Sequence, residues 1–175
     1  MTSFPAWFAG EIITADGLNG RNMQLVTQES DLSLTSIAEP GVASQIVFLP
    51  EPNAIYAYWL YISYSADTTA DLGWEWEAEG TCGVLMASFT QSYIQAAAAG
   101  ANTGAAIIMR RPGNTTNRVA GGTDVANFHS AYDSGTFSTT AAPTNQTLYV
   151  RQLVATGSTI LRGGNQTRLL YQRIA

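Results

Sequence analysis

Residues 54–64, AIYAYWLYISY, constrain this chain more than any other stretch. β-Branched and aromatic side chains dominate it, the composition of a pleated strand rather than of a helix. With the two-residue period of a strand, one face carries Ile55, Ala57, Trp59 and Tyr61. The other carries Tyr56, Tyr58, Leu60, Ile62 and Tyr64. Both faces are apolar. A sandwich covers one face of each of its sheets, so the second face of this strand needs an arm, a loop or another subunit over it. Tyr56, Tyr58 and Tyr64 are the expected subunit interface.

Residues 72–78, LGWEWEA, alternate cleanly, with Leu72, Trp74, Trp76 and Ala78 on one face and Gly73, Glu75 and Glu77 on the other. The polar link 66–71 predicts an antiparallel hairpin over 54–78. Further strands are expected at 23–28, 32–38, 44–49, 82–93, 104–110, 146–155 and 167–174, separated by Gly/Asn/Pro/Thr clusters. Many short strands with turn signals between them argue for an all-β sandwich or barrel. The run QAAAAG at 95–100 reads as a loop with at most a short helix. Residues 112–145 are rich in Gly, Thr, Ser and Asn, with weak strands at 116–119 and 135–140, and read as an exposed functional loop. At 175 residues the chain is long enough for one domain with a real core.

A search for catalytic carriers returns little. His129 is the only histidine, which excludes a His-rich metal site, and its neighbours Ser130, Ser134, Asp124 and Asp133 are local loop residues rather than a triad. Glu75 and Glu77 stand about 7 Å apart by strand rise, a separation that suits a carboxylate pair but equally a solvated strand face. Trp74 and Trp76, on the opposite face, read as core. Asp67 and Asp71 lack the spacing of a calcium loop. Cys82 is the only cysteine, so an internal disulfide or a Cys-based zinc site is excluded, and its apolar setting reads as a buried thiol. A net charge of -5 argues against nucleic acid. All eight basic residues are arginines, and the one adjacent pair, Arg110-Arg111, runs straight into Pro112-Gly113 and reads as a loop. No run is long and apolar enough for a membrane helix. The expectation is therefore a protein that is not an enzyme, uses no cofactor or metal, and takes neither nucleic acid nor membrane as partner.

The amino end is different. FPAWFAGEIITADGLN, residues 4–19, bears aromatics beside a proline, without the basic start or long apolar run of a signal peptide. The stretch Trp7-Phe8-Ala9-Gly10-Glu11-Ile12-Ile13-Thr14-Ala15-Asp16-Gly17-Leu18-Asn19 resembles a pattern common near the N-terminus of tailed-phage tail, fibre and head-appendage proteins, of the form Trp-x-Ala-Gly-Glu-x-x-Thr-Ala-x-x-Leu-Asn. The strand 54–64 followed by Asp71-Leu72-Gly73-Trp74-Glu75-Trp76, the segment 148–157, LYVRQLVATG, and the final strand 167–175, TRLLYQRIA, resemble the same group in phages of actinobacteria. The absence of lysine fits a GC-rich host.

The resemblance implies a jelly-roll-like β-sandwich, residues 23–175, preceded by an extended N-terminal docking arm, residues 1–22. It implies a virion structural protein, a homotrimer, bound to the major capsid protein or another virion protein. Phe4, Trp7, Phe8 and Ile12 would anchor the arm, because aromatic residues dominate well-packed interfaces. Alternatively the arm folds back over its own domain and covers the second face of 54–64. One arm and one domain, with no shaft repeat, point to head decoration rather than to a long fibre. The alternative is a receptor-binding module at the tail or baseplate, in which Asn127, Tyr132 and Phe137 of the 112–145 loop would touch cell-surface glycan. An enzyme acting on polysaccharide through Glu75 and Glu77, and a non-viral extracellular sandwich, complete the set.

Overall fold

The computed structural model describes residues 10, 12, 14, 15, 22–35, 37–78, 85–92, 108–110 and 118–175, with backbone alone at 77, 78, 85–92 and 108–110. Cys82 and the run 95–100 lie outside the described residues. The named elements are all strands, in two antiparallel sheets. The larger, eight-stranded sheet runs in the order β1 (Gln24–Thr27), β12 (Arg168–Arg173), β4 (Ile55–Ala66), β9 (Asp124–Ser138), β6 (Leu85–Ser92) and β7 (Ile108–Arg110). Beyond the end of β12, β4 pairs instead with β11 (Thr159–Leu161), which pairs in turn with β2 (Leu32–Leu34). The smaller sheet is β3 (Val42–Phe48), β10 (Gln146–Gln152), β5 (Leu72–Ala78) and β8 (Arg118–Ala120). The expectation of a β-sandwich holds.

β4 is the centre of the larger sheet. Both of its edges are paired, to β12 and β11 on one side and to β9 along nearly its whole length on the other. Its even-numbered side chains, Tyr56 to Tyr64, point into the core and are buried. This corrects the expected subunit interface: Tyr56, Tyr58 and Tyr64 are filled against the facing sheet and present no side chain to a partner. The core needs their volume, because the smaller sheet meets them with large rings. Phe48 of β3 stands edge-on to Tyr56, Phe137 and Tyr171, with centroids at 5.0, 4.3 and 4.5 Å. Trp76 stands edge-on to Tyr58 at 6.2 Å. Such pairs each add about 0.5–1.5 kcal/mol beyond the area they bury.

Two further expectations change. β4 and β5 are not a hairpin. The chain leaves β4 at Ala66, turns through Asp67–Asp71, where Asp71 has φ 53, and enters the other sheet, where β5 pairs with β10 and β8. The Trp face of β5 and the Tyr face of β4 meet across the core instead of side by side. The second change concerns residues 112–145. Residues 124–138 of that stretch form β9, the longest of the described strands, paired to β4 and β6. Its small residues gave a weak strand signal because they match large neighbours: Gly135 stands opposite Tyr58 and Ser134 opposite Trp59. Cross-strand fit rather than intrinsic preference makes this a strand. β11, which falls between the strands expected at 146–155 and 167–174, is likewise a strand.

A buried ion pair crosses the sandwich. Arg118 of β8 and Asp133 of β9 are both buried, with Nε and Oδ2 at 2.7 Å. The Tyr58 hydroxyl donates to the Asp133 Oδ1 at 3.2 Å. Replacing one partner strands a buried charge, whereas replacing both does not. Arg118→Met is expected to lower unfolding stability by about 3–5 kcal/mol, and Arg118→Met with Asp133→Leu to recover most of it. Equilibrium denaturation of the two variants checks this. A double variant as unstable as the single would show that the charges themselves are not what matters.

Candidate functional site: the outer face of the larger sheet

Odd-numbered side chains of β4 form the outside of the larger sheet. Across one row, Arg168, Tyr61 and Tyr132 stand on β12, β4 and β9, with Gln91 of β6 at the next register position. The Tyr61 and Tyr132 rings lie 5.0 Å apart, tilted by 51°. The Arg168 guanidinium sits over the Tyr61 ring at 5.4 Å. Burial pushes the Tyr132 hydroxyl above its ordinary pKa, contact with the Ser134 hydroxyl works the other way, and the nearby Tyr61 hydroxyl adds to the rise. The next pair along is Ser63 opposite Ser130. The Ser63 hydroxyl donates to the Gln166 Oε1 at 3.2 Å. Together Tyr61, Ser63, Ser130, Tyr132 and Gln166 line a depression of about 350 Å³. Beyond it, Phe128 is 62% exposed, with the Arg162 guanidinium 4.8 Å over its ring.

The structure separates the three residues expected to face a receptor. Tyr132 is on this outer face. Phe137 is not: it is buried and stacked on Tyr56 at 5.0 Å, so that expectation is corrected by the inward phase of β9. Asn127 is exposed but tied to its own turn. The Asp124 Oδ1 accepts from the amides of Ala126 and Asn127 at 2.8 Å, and Asn127 Nδ2 donates to the Asp124 Oδ2 at 2.6 Å. These bonds, the Asn127 side chain's first, hold the Asp124 carboxyl below its usual range. Phe4, Trp7 and Phe8 lie outside the described residues, and Ile12 is 84% exposed. The sequence reading placed Tyr61 beside Trp59 without assigning it a role. Gln166 and Arg168, just before and at the start of β12, gave no signal, because only the β12–β4 register brings them here.

The titratable groups with unusual settings serve the fold. His129 lies in β9 against the Tyr64 ring at 5.3 Å, and its Nε2 accepts the Thr123 amide at 3.2 Å. Burial pushes its pKa below the ordinary value. Among the described residues no serine hydroxyl bonds it, and no cluster of three or more His, Cys, Asp or Glu could hold a metal. Glu75 stands opposite Tyr149 on the outside of the smaller sheet. The side chain of Glu77 lies outside the described residues. Trp74 and Trp76 are core, as read. Asp67 accepts the Ser158 amide at 2.7 Å. Among the described residues no helix is long and apolar enough to cross a membrane.

No protein-family model matches the sequence, and no curated protein does. Among solved structures, that of the infectious bursal disease virus Gt strain is 10% identical, with a TM-score of 0.22 over 89% of this chain and 38% of that one. The VP2 subviral particle of the same virus is 10% identical, with a TM-score of 0.20 over 99% of this chain and 42% of that one. The chain thus spans about two-fifths of the length of the structures it matches. These weak neighbours are viral, and at such scores the likeness carries no argument.

Asp71 is a carboxyl held with a clearly raised pKa. Its side chain is buried, Oδ1 accepts the Gly122 amide at 2.9 Å, and Oδ2 has no hydrogen-bond partner among the described residues. Burial pushes its pKa up to about 6, against a smaller opposing effect of the Gly122 amide. The Tyr64 hydroxyl, pushed up by its own burial and by Asp71, donates to the Gly121 carbonyl at 2.5 Å. The folded chain therefore binds this proton more tightly than the unfolded one. The resulting stability is fully present below the ordinary carboxyl value of 3.8 and is lost as pH rises through about 6. Asn keeps the acceptor, carries no charge and suits the positive φ. Asp71→Asn is expected to match the wild type near pH 4 and to exceed it by about 1–2 kcal/mol above pH 7, read by denaturation against pH.

Proposed function

We propose that the chain is a structural, non-enzymatic component of a virion, docked on the shell through its N-terminal arm. The arm motif supports this reading, and one structural observation carries it. Where the arm joins the sandwich, apolar side chains stay in solvent. Ile12 is 84% exposed, Met23 50% and Leu25 61%. β1 is the last of the described strands at its end of the sheet, so Met23 and Leu25 lie at an edge that no described strand covers. An exposed apolar strip beside an open edge marks a surface meant to be covered.

Head decoration is the form of this role that the reading takes. The major shell protein is the partner of the arm, and self-association into a trimer would use the outward residues Ile55, Trp59 and Leu170 rather than the inward tyrosines. The test is the number of copies per purified particle, by quantitative mass spectrometry against the major shell protein. Decoration predicts a simple fraction of the shell copy number. Leu25→Asp, and separately Trp7→Ala with Phe8→Ala, should cut incorporation at least tenfold while leaving the thermal midpoint within a few degrees. A handful of copies would favour the tail or baseplate module, and absence from particles would end the structural reading.

A further inference from the structure

We propose that the depression between β4 and β9 is a binding site for a hexopyranose-containing glycan. This goes beyond a structural role and does not depend on it. The argument starts from what the depression offers. Tyr61, 40% exposed, and Tyr132 form a wedge of two tilted rings rather than a flat stack. The Arg168 guanidinium lies over the Tyr61 ring at 5.4 Å. A pyranose presents apolar C–H groups on its faces, which pack against an aromatic ring, and hydroxyls around its rim, which need donors and acceptors. The floor supplies these. Ser130 is an exposed hydroxyl opposite Ser63, and Ser63 fixes the Gln166 amide by donating to its Oε1. That bond leaves the Gln166 N–H groups for an incoming acceptor. Phe128, four residues before Tyr132 on β9, extends the aromatic lining by about 13 Å at strand rise, room for more than one sugar ring.

The same geometry disfavours other occupants. An extended peptide recognised by strand addition needs a free sheet edge, and both edges of β4 are paired at this point. A polyanion needs clustered cations, but the Arg162 guanidinium already pairs with Asp31 at 2.8 Å, Arg168 over the Tyr61 ring is a single guanidinium rather than a cluster, and the chain as a whole carries a net charge of -5. A hydroxyl-rich, uncharged ligand is what remains. An open depression of this size suits a weak contact made strong by repetition on a multivalent display.

The test presents the full-length chain, displayed multivalently, to an immobilised panel of glucan, mannan and galactan oligosaccharides. At least one class is expected to bind, with little change between low and physiological salt. Tyr132→Ala should weaken that binding about tenfold, as loss of a central aromatic contact does. Ser130→Trp, at an exposed position, should block it by filling the depression without touching the core. Leu49→Ala, at an exposed position just after β3 and away from the depression, should leave it unchanged. No binding to any member overturns the proposal. So does binding that the Ser130→Trp variant retains, or binding that vanishes with modest salt. Virion copy number and glycan affinity are separate measurements, so failure of either reading is recognisable without the other.

Discussion

The contact on which the arrangement of the two sheets depends is the buried pair of Arg118 and Asp133. Among the described residues β8 spans Arg118–Ala120 and pairs with β5 within the smaller sheet. Its backbone hydrogen bonds alone would not fix where it lies against the larger sheet. The Arg118 side chain does, by reaching across the core to Asp133 of β9, whose other oxygen accepts from Tyr58 of β4. Apolar side chains tolerate small slips against one another because any apolar neighbour will serve. A buried charge accepts only its partner, and a slip of two residues would leave both desolvated and unpaired. The pair thus ties β8, β9 and β4 into one register, and the rings of Trp74 and Trp76 pack within that constraint.

What the sequence disclosed follows from how local each signal is. The alternation in β4 and β5 is a property of single strands, so the inward sets Tyr56 to Tyr64 and Leu72 to Trp76 could be grouped from the sequence. Which face of β4 would be inside could not be read, because both are apolar. The tyrosines assigned to a subunit are in the core for that reason. The partner of each strand is a non-local property. It was missed at the turn 67–71, where a polar link looks the same whether the chain doubles back in one sheet or crosses to the other. It was missed again at β9, where Gly135 and Ser134 have meaning only opposite Tyr58 and Trp59.

The candidate site was legible in part. Tyr132 was singled out, though as a loop residue. Its partner Tyr61 stands one register position across on β4, some seventy residues away in the chain. Gln166 and Arg168 arrive from the carboxyl end through β12. No spacing rule could join these segments, because the sheet order β12-β4-β9 brings them together and that order is set by the core on the opposite face.

This places two demands on one sheet. Its inner face must hold large rings in fixed phase, and that phase determines which residues appear outside. Tyr61 is outside because Tyr58, Leu60 and Ile62 are inside, and Tyr132 is outside because Asp133 must meet Arg118. A one-residue slip of β9 would turn Asp133 to solvent and Tyr132 to the core, removing the ion pair and the aromatic wedge together. The outer face is therefore held to the geometry of the core. The open edge at β1, where Met23 and Leu25 are exposed, lies two strand pairings from β4. Changes at the β1 edge can alter what the chain docks on without disturbing the depression, and changes in the depression leave the docking edge intact. One small sandwich can in this way carry two separately adjustable contacts.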